Sequence, residues 1–251
     1  VKFISHATGD LLLDVFRSDD KQIRPAILCL HGGFWAKGSK KFMHPLALDL
    51  VEKGYIAVCS NYRLTDVAQA PAQLHDVFSA IHFLRENAFK YGIDPKKIGV
   101  TGSSAGGYLA VMAAVFDSGD KRTRPNAAVG IGAQTDLLSP HIQNSTVLNW
   151  SKFMGGFYHQ VPQKYLKQSP INHLTKDDPP IAIICGEYDK PSTRANAFRK
   201  KASQLGVPTG LTEISGAPHG LLKASKHRSI AVSVLDDFFR AHLRKKGSNF
   251  E

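Results

Sequence analysis

Two kinds of hydrophobic pattern alternate along this chain of 251 residues. Short, continuously apolar runs are typical of strands buried on both faces, and the stretches between them have the spacing of amphipathic helices. The predicted strands are 2–5, 11–16, 26–30, 55–60, 98–101, 127–132, 181–185 and 209–214, of which the first two form an antiparallel hairpin. The predicted helices are 41–53, 72–90, 105–116, 192–205 and 226–244. This alternation predicts an α/β protein with an eight-stranded, mostly parallel sheet flanked by helices.

Two of the predicted helices have an apolar stripe at helical spacing. The stripe of helix 72–90 contains Leu74, Val77, Phe78, Ile81 and Leu84. The stripe of helix 226–244 contains Ile230, Val234, Leu235, Phe238 and Phe239. We expect both stripes to face the core.

The connection over residues 137–179 interrupts the alternation. Connections of this length in a compact domain are usually functional or contain helices of their own. This one contains Trp150, Phe153, Phe157 and Tyr158 among polar residues. We therefore predict a small helical cap over the carboxyl edge of the sheet. No stretch has the composition of a linker, so we predict one domain over residues 1–251.

The composition is that of an ordinary globular protein. Hydrophobic residues make up 43% and charged residues 21% of the chain, which argues against disorder. No run of 18 apolar residues is present, so we predict no membrane span. Three cysteines are too few and too scattered for a disulfide framework or a cysteine-based zinc site. Cys29 and Cys59 lie in apolar predicted strands, where we expect buried free thiols.

The charge balance is basic, with 32 Lys and Arg against 21 Asp and Glu and a formal net charge of +11. Such a charge is compatible with nucleic acid, an anionic surface or an acidic substrate as partner. The positive residues are dispersed, and no RNA-binding module or zinc finger is recognisable. We therefore predict an ordinary basic surface and no nucleic-acid partner.

The chain begins at Val1 rather than at a methionine, and its first residues lack the apolar core of a signal peptide. Either a leader has been removed or the sequence begins inside its gene. We expect a secreted or periplasmic location in the first case and a cytoplasmic location otherwise.

Residues 102–106 have the sequence Gly-Ser-Ser-Ala-Gly between a predicted strand and a predicted helix. In this context the pattern G-x-S-x-G is typical of a nucleophile elbow, a tight turn that presents its central serine at the start of a helix. The turn needs small residues beside the nucleophile, and Gly102 and Gly106 provide that room. The helix N-terminus favours negative charge. We predict Ser104 as a nucleophile, with a plain Gly-Ser turn as the alternative.

A second motif, His-Gly-Gly, occupies residues 31–33 directly after a predicted strand. Acyl transfer creates an oxyanion that needs N–H donors already in position. Glycines let the backbone approach a substrate closely. We predict that the N–H groups of Gly32, Gly33 and Ala105 form an oxyanion hole, with a simple turn at the strand exit as the alternative.

A nucleophilic serine needs a base, and the base needs an orienting carboxylate. In proteins with this elbow, the chain order is serine, then acid, then histidine. His219 lies in a Gly-Ala-Pro-His-Gly loop before the last predicted helix and is the predicted base. Asp189 lies just past an apolar strand and is the predicted acid, with Glu187 as its local rival. Asp136 comes one strand too early for the usual arrangement.

Several further motifs accompany these in one order along the chain. They are His31-Gly32-Gly33, Asn61-Tyr62-Arg63-Leu64, Tyr91-Gly92-Ile93-Asp94-Pro95, Gly102–Gly107, Gly186–Asp189 and His219-Gly220. From about residue 10 to its end, the chain resembles the esterase/lipase branch of the α/β-hydrolase superfamily, near the hormone-sensitive-lipase-like and BD-FAE-like esterases. The resemblance implies the α/β-hydrolase fold and carboxylic-ester hydrolysis by the triad Ser104, Asp189 and His219, without a cofactor or metal.

The resemblance also bears on the substrate. BD-FAE-like esterases include acetyl xylan and feruloyl esterases, so we expect an ester of a short or aromatic acyl group with a carbohydrate, either small or polymeric. The basic surface would suit an acidic polysaccharide. Residues 31–35, His-Gly-Gly-Phe-Trp, also resemble arylformamidases, and an amide hydrolase is therefore the alternative. A catalytically silent binding module of the same fold is the other alternative.

Aromatic residues near these motifs are the candidate pocket walls. Phe34, Trp35 and Tyr108 flank the predicted oxyanion hole and nucleophile. From the cap, the predicted walls are Trp150, Phe153 and Phe157. Ordinary packing of these side chains in the core and the cap is the alternative.

For Arg63 two interpretations stay open. The resemblance implies that Arg63 braces the loops beneath the active site. The alternative is an ordinary surface ion pair with Asp76, which would contribute about 0–1 kcal/mol.

Overall fold

The computed structural model describes residues 1–20 and 22–244, so Lys21 and residues 245–251 of the predicted domain lie outside the described residues. The described residues form one eight-stranded sheet. Its strands are β1 (Lys2–His6), β2 (Gly9–Phe16), β3 (Arg24–Leu30), β4 (Ile56–Ser60), β5 (Ile93–Ser103), β6 (Ala127–Ile131), β7 (Ile181–Gly186) and β8 (Thr209–Ile214). Every predicted strand is present.

The strand order is β1-β2-β4-β3-β5-β6-β7-β8. β1 and β2 pair as the expected antiparallel hairpin, and β2 also runs antiparallel to β4. All other neighbours are parallel. The loops that follow β3 to β8 therefore leave the sheet at one edge, where residues that are distant in the sequence meet.

Eleven α-helices lie in the described part of the chain. They are α1 (His44–Glu52), α2 (Ala72–Glu86), α3 (Ala88–Tyr91), α4 (Ala105–Val115), α5 (Pro140–Gln143), α6 (Leu148–Met154), α7 (Pro162–Lys167), α8 (Pro170–His173), α9 (Pro191–Arg194), α10 (Asn196–Gln204) and α11 (Ser225–Leu243). Short 3-10 turns occupy Lys40–Met43, Lys121–Thr123, Glu187–Asp189 and Leu221–Lys223. None of the helices in residues 1–20 and 22–244 has the length and apolar character needed to cross a bilayer.

The predicted helix 72–90 is divided at Asn87. The side-chain amide of Asn87 donates to the carbonyl of Phe83 at 2.9 Å, and its backbone N–H donates to the same oxygen at 3.0 Å. A side chain that bonds to the nearby backbone competes with the regular helical pattern. The chain then continues as the short helix α3 and stops at Gly92, whose φ of +73° is left-handed.

The two faces of the sheet carry separate hydrophobic cores. Leu28 and Leu30 of β3 belong to the core that includes α2 and α4. Ile27 and Cys29 of the same strand belong to the core that includes α1 and α11. Successive side chains of a strand point to opposite faces, so a strand buried on both faces is apolar throughout. The predicted stripe of α2 faces the first core.

The predicted stripe of α11 is wrong in part. Ile230 is 41% exposed, and the buried face contains Ala231, Val232, Leu235, Asp236, Phe239 and Leu243. Asp236 occupies this face because its carboxylate accepts a hydrogen bond from the Tyr55 hydroxyl at 3.0 Å and pairs with Arg240. A stripe counted from apolar residues alone misses a polar residue whose charge is paired.

The long connection between β6 and β7 contains the expected helices, α5 to α8. Its contacts with the rest of the molecule are specific. The hydroxyl of Tyr108 in α4 donates to the carbonyl of Gln168 at 2.7 Å. The backbone N–H of Ile171 donates to the carbonyl oxygen of Thr135, which follows β6. The backbone N–H of Ala70 donates to the carbonyl oxygen of Phe153. These bonds fix the connection beside the carboxyl edge of the sheet.

Candidate active site

Ser104 lies at the sharp turn between β5 and α4, with φ 55° and ψ −114°. The turn is so tight that its flanking glycines have no room for a side chain. A Cβ at Gly102 would lie 2.5 Å from the carbonyl carbon of Gly106, and a Cβ at Gly106 would lie 2.2 Å from the carbonyl oxygen of Leu30. The predicted strand–turn–helix context of the G-x-S-x-G pattern is therefore present.

Ser104, His219 and Asp189 form one chain of hydrogen bonds. The Nε2 atom of His219 lies 2.8 Å from Ser104 Oγ, and its Nδ1 lies 2.8 Å from Asp189 Oδ2. The His219 side chain is 38% exposed, whereas that of Asp189 is 2% exposed. An ionised carboxylate only accepts hydrogen bonds, so it favours a proton on Nδ1 and leaves Nε2 free to accept the serine proton.

The other candidate acids have different partners. Glu187 accepts hydrogen bonds from the Gly216 N–H at 2.7 Å and the Ser215 hydroxyl at 3.1 Å. It thereby holds the loop that carries His219 without contacting the imidazole. Asp136 accepts from the backbone N–H of Leu138.

Arg194, which the sequence analysis missed, also contacts the buried acid. Its Nε donates to the carbonyl oxygen of Asp189 at 2.9 Å and forms an ion pair with Asp189 Oδ1 at 2.7 Å. The carbonyl of Arg194 accepts in turn from the backbone N–H of Thr135, which follows β6. Arg194 lies five residues after Asp189 in a segment without a recognisable motif, so no local signal marks it.

Of the predicted oxyanion-hole residues, Gly32 and Ala105 lie beside Ser104. A Cβ at Gly32 would lie 3.3 Å from the Cβ of Ser104, which places this backbone directly beside the serine. Gly33 has φ +121°, and its carbonyl accepts from the N–H groups of Ala36 and Lys37 in a tight turn. Ala105 follows Ser104 as the first residue of α4.

His31 fixes the backbone of this loop. Its ring is buried, stacks on Tyr62 at 4.2 Å between centroids, and places Nδ1 2.9 Å from the carbonyl oxygen of Gly32. The Tyr62 hydroxyl donates to the His31 carbonyl at 2.8 Å. Burial lowers the pKa of His31 to about 4, so the ring is neutral near pH 7 and Nδ1–H donates to Gly32.

The contact between Arg63 and Asp76 is more than a surface ion pair. Asp76 is 1% exposed and accepts from the Arg63 guanidinium at 2.7 to 3.0 Å and from the Arg63 backbone N–H at 2.9 Å. Arg63 directly follows Tyr62. The pair therefore ties the loop that holds His31 to α2, as the bracing interpretation expects.

A cavity of about 120 Å³ opens beside Ser104. Its apolar end is closed by Trp35, Tyr108 and Trp150, which are 3%, 1% and 7% exposed. Phe34 and Val147 lie at the mouth and are 38% and 44% exposed. Four of the predicted pocket walls, Phe34, Trp35, Tyr108 and Trp150, line this cavity.

Phe153 and Phe157 do not line the cavity, contrary to the prediction. Phe153 is 1% exposed and stacks on Trp35 with 3.9 Å between the ring centroids, so Trp35 separates it from the cavity. Phe157 stacks on His159. Both have the packing role that the sequence analysis kept as the alternative.

The remaining lining of the cavity is mostly polar and consists of Gly132, Gln134, His141, Ser145 and Arg194, with Ile142. Of these, Gly132 and Arg194 are adjacent to the His219–Asp189 pair. A Cβ at Gly132 would lie 2.9 Å from Asp189 Oδ2 and 3.1 Å from the His219 ring, so glycine is required there. The cavity thus has an apolar closed end and a polar wall next to the imidazole.

In the described part of the chain, no cluster of three His, Cys, Asp or Glu side chains is arranged to hold a metal ion. The cysteines are buried free thiols, as predicted for Cys29 and Cys59, which face each other in β3 and β4. Burial raises the pKa of the Cys185 thiol to about 12. The neighbouring Cys59 thiol and burial also raise the pKa of the Cys29 thiol, so Cys29 and Cys185 remain protonated near neutral pH.

Comparison with known proteins agrees with this architecture. The BD-FAE family model matches residues 13–201. Esterase LipQ of Mycobacterium tuberculosis is 30% identical over 258 residues, which cover 94% of this chain and 61% of that protein. Esterase LipC of the same organism is 28% identical, with 83% of this chain and 56% of that protein covered. The chain thus spans about three fifths of the length of these relatives.

Solved structures give the same fold. A structure described as a truncated form of a carbohydrate esterase from gut microbiota has a TM-score of 0.84 and 25% identity, and covers 98% of this chain and 95% of its own. The esterase Est2 of Thermogutta terrifontis has a TM-score of 0.79 and 22% identity, with 99% and 94% covered. The matched family model, together with this sheet order, shows that the chain is a member of the BD-FAE family with the α/β-hydrolase fold.

Proposed function

We propose that this protein hydrolyses carboxylic esters through a covalent acyl-serine intermediate. The observation that carries the proposal is the chain of two 2.8 Å contacts from Ser104 Oγ through His219 to Asp189. Nucleophile, base and orienting acid are all within hydrogen-bond reach, which is the geometry that nucleophilic catalysis requires. Named esterases among the relatives support the same reaction class.

In the first half of the reaction, His219 Nε2 accepts the proton of Ser104 while Oγ attacks the ester carbonyl carbon. Asp189 stabilises the imidazolium that forms. The N–H groups of Gly32, Gly33 and Ala105 hold the negative charge on the former carbonyl oxygen. The imidazolium then donates its proton to the leaving alcohol oxygen, and the carbon–oxygen bond of the ester breaks.

In the second half, water replaces the alcohol. His219 accepts a proton from the water, whose oxygen attacks the acyl carbon. The tetrahedral intermediate collapses, the bond to Ser104 Oγ breaks, and the serine regains a proton from His219. The products are a carboxylic acid and the free enzyme.

The cavity supports a short acyl group. Pockets for drug-sized ligands usually enclose about 300–1,000 Å³, and the cavity beside Ser104 has about 120 Å³. Its end is closed by buried aromatic side chains, which leave space for an acetyl or another small acyl group. The similarity to a carbohydrate esterase supports a sugar or polysaccharide as the alcohol component.

The first test is acetate release from acetylated xylan and from p-nitrophenyl acetate. We expect both activities in the wild type, and a loss of about 10⁴-fold or more in kcat for Ser104→Ala because the nucleophile is absent. The matched control is Ser103→Ala, which removes a neighbouring hydroxyl without a part in the hydrogen-bond chain. Equal activity of Ser104→Ala and wild type would contradict the proposal.

A second substrate tests the amide-hydrolase alternative, for which the small cavity closed by Trp35 gives a reason. N-formylkynurenine is a formyl amide, and formyl is the smallest acyl group that such a cavity could take. Cleavage of this amide with a kcat/KM above that for the acetyl esters would assign the protein to that reaction. If the folded wild-type protein cleaves none of the three substrates, the alternative of a catalytically silent binding module is favoured.

A further inference from the structure

Arg194 has donors that the contact with Asp189 does not use. An arginine side chain has five N–H donors. The hydrogen bond to the Asp189 carbonyl and the ion-pair contact with Asp189 Oδ1 both involve Nε, and among the described residues the terminal nitrogens of Arg194 have no hydrogen-bond partner. The side chain is 24% exposed and lines the cavity together with Ser104 and His219.

Asp189 holds the guanidinium, and the neighbouring loop holds the backbone that carries it. The side-chain amide of Gln134 donates to the carbonyl of Thr193 at 3.2 Å, and the N–H of Thr135 donates to the carbonyl of Arg194 at 3.2 Å. The loop after β6 thus holds the backbone at Arg194. A donor fixed in this way loses little entropy when it binds a ligand.

The charge of the cavity lining is one-sided. Among the described residues, the lining contains the guanidinium of Arg194 and no Asp or Glu side chain. Asp189 lies behind the wall and is 2% exposed. The Nε side of the guanidinium is paired with Asp189, and its terminal N–H groups remain for an anionic group in the cavity, which they would bind through charge-assisted hydrogen bonds.

The reaction geometry places this wall on the side of the alcohol. His219 must deliver its proton to the leaving oxygen, so the alcohol component departs next to the imidazole. Arg194 lies on that side because it shares Asp189 with His219. The closed apolar end formed by Trp35, Tyr108 and Trp150 remains for the acyl group.

We propose that Arg194 binds a carboxylate on the alcohol component of the ester. The preferred substrates are then short acyl esters of acidic alcohols or phenols, such as acylated uronic acid units or acylated phenolic acids. This inference rests on the ester hydrolysis proposed above and adds the residue that selects the substrate.

The test compares two acetyl esters that differ in one charge, (4-acetoxyphenyl)acetate and its primary amide. The methylene group keeps the two phenol leaving groups electronically similar. For the wild type at low salt we expect kcat/KM to be about tenfold higher for the carboxylate, through KM, because a charge-assisted hydrogen bond has about this effect. For Arg194→Gln we expect the ratio to fall to about one.

The matched control is Arg199→Gln, which removes the same charge from an exposed position of α10 outside the cavity and should keep the ratio. A wild-type ratio near one would overturn the inference. An equal loss of kcat/KM on both substrates in Arg194→Gln would also overturn it, since Arg194 would then act only through Asp189.

A binding measurement distinguishes failure of this inference from failure of the proposed ester hydrolysis. If wild type hydrolyses neither ester, calorimetric binding of (4-hydroxyphenyl)acetate and of its amide still tests Arg194. Tighter binding of the anion, lost in Arg194→Gln, would support the anion site without the hydrolase. Equal or absent binding of both would reject it.

Discussion

The backbone of Ser104 has a conformation that L-amino acids rarely adopt, with φ 55° and ψ −114°. Such a conformation costs on the order of 1–3 kcal/mol and persists only where the surroundings hold it. Here the N–H of Ser104 donates to the carbonyl of Ile131 at 2.7 Å, and its carbonyl accepts from the N–H of Tyr108 at 2.9 Å. These two hydrogen bonds hold the strained turn, and the turn keeps Ser104 Oγ 2.8 Å from His219 Nε2.

The buried ring of His31 should make the free energy of unfolding depend on pH. Its folded-state pKa is about 4, below the ordinary value of 6.5, because burial disfavours the charged ring. The unfolded chain therefore binds a proton at a pH where the folded protein does not, and stability falls as the pH drops from 6.5 towards 4. Near pH 5 the loss for this group amounts to about 2 kcal/mol.

Urea unfolding of wild type and His31→Asn near pH 7 and near pH 5 measures this effect. The amide nitrogen of asparagine can replace Nδ1 as donor to Gly32 but does not titrate. We expect the decrease in the free energy of unfolding between the two pH values to be about 2 kcal/mol smaller in the variant. The same decrease in both proteins would show that His31 is not the responsible group.

At the scale of elements, the turn between β5 and α4 depends on the neighbouring strand β3. Gly106 packs against the carbonyl groups of Leu30 and His31, 2.2 and 2.6 Å from where its Cβ would stand. Glycine is therefore required at position 106 because α4 packs closely against the end of β3. The loop that contains Gly32 begins at the same end of β3.

Gly106→Ala should for this reason push α4 away from β3. We expect a loss of several kcal/mol in the free energy of unfolding, at the upper end of what overpacking causes, together with a loss of esterase activity. Thermal unfolding and kcat/KM for p-nitrophenyl acetate measure both. Gly210→Ala in β8 is the control, since its new Cβ would meet nothing nearer than Ala182 at 3.8 Å; an equal effect of both variants would contradict this account.

At the scale of the whole molecule, the cavity forms where three parts of the chain meet. The loop after β3 supplies Trp35, α4 supplies Tyr108, and α6 of the connection between β6 and β7 supplies Trp150. The rings of Trp35 and Trp150 lie 5.2 Å apart. The position of the connection thus sets the depth of the cavity.

Trp150→Ala should deepen the cavity and admit longer acyl groups. We expect the ratio of kcat/KM for p-nitrophenyl hexanoate to that for the acetate to rise about tenfold or more, since each methylene group in an apolar pocket contributes on this scale. The variant should lose about 3–5 kcal/mol of stability, so the rates are measured well below its Tm. Leu148→Ala, on the exposed side of α6, should leave the ratio unchanged; an unchanged ratio in Trp150→Ala would place the acyl group elsewhere.

The sequence by itself determined the order of strands and helices along the chain and the turn of Ser104. These features are local, because burial on one or both faces imposes a period on neighbouring residues and a tight turn demands glycine. The chain order of nucleophile, acid and base gave Asp189 and His219, which the structure brings within 2.8 Å of their partners.

Only the tertiary structure decided which side chains meet across the sheet edge. Arg194 on Asp189 joins the end of α9 to the turn after β7, Asp76 on Arg63 joins α2 to a loop, and no spacing rule marks either contact. Whether Phe153 lines a cavity depends on Trp35, more than a hundred residues earlier in the chain. Such contacts follow from the packing of whole elements against each other, and packing is not encoded in any single segment.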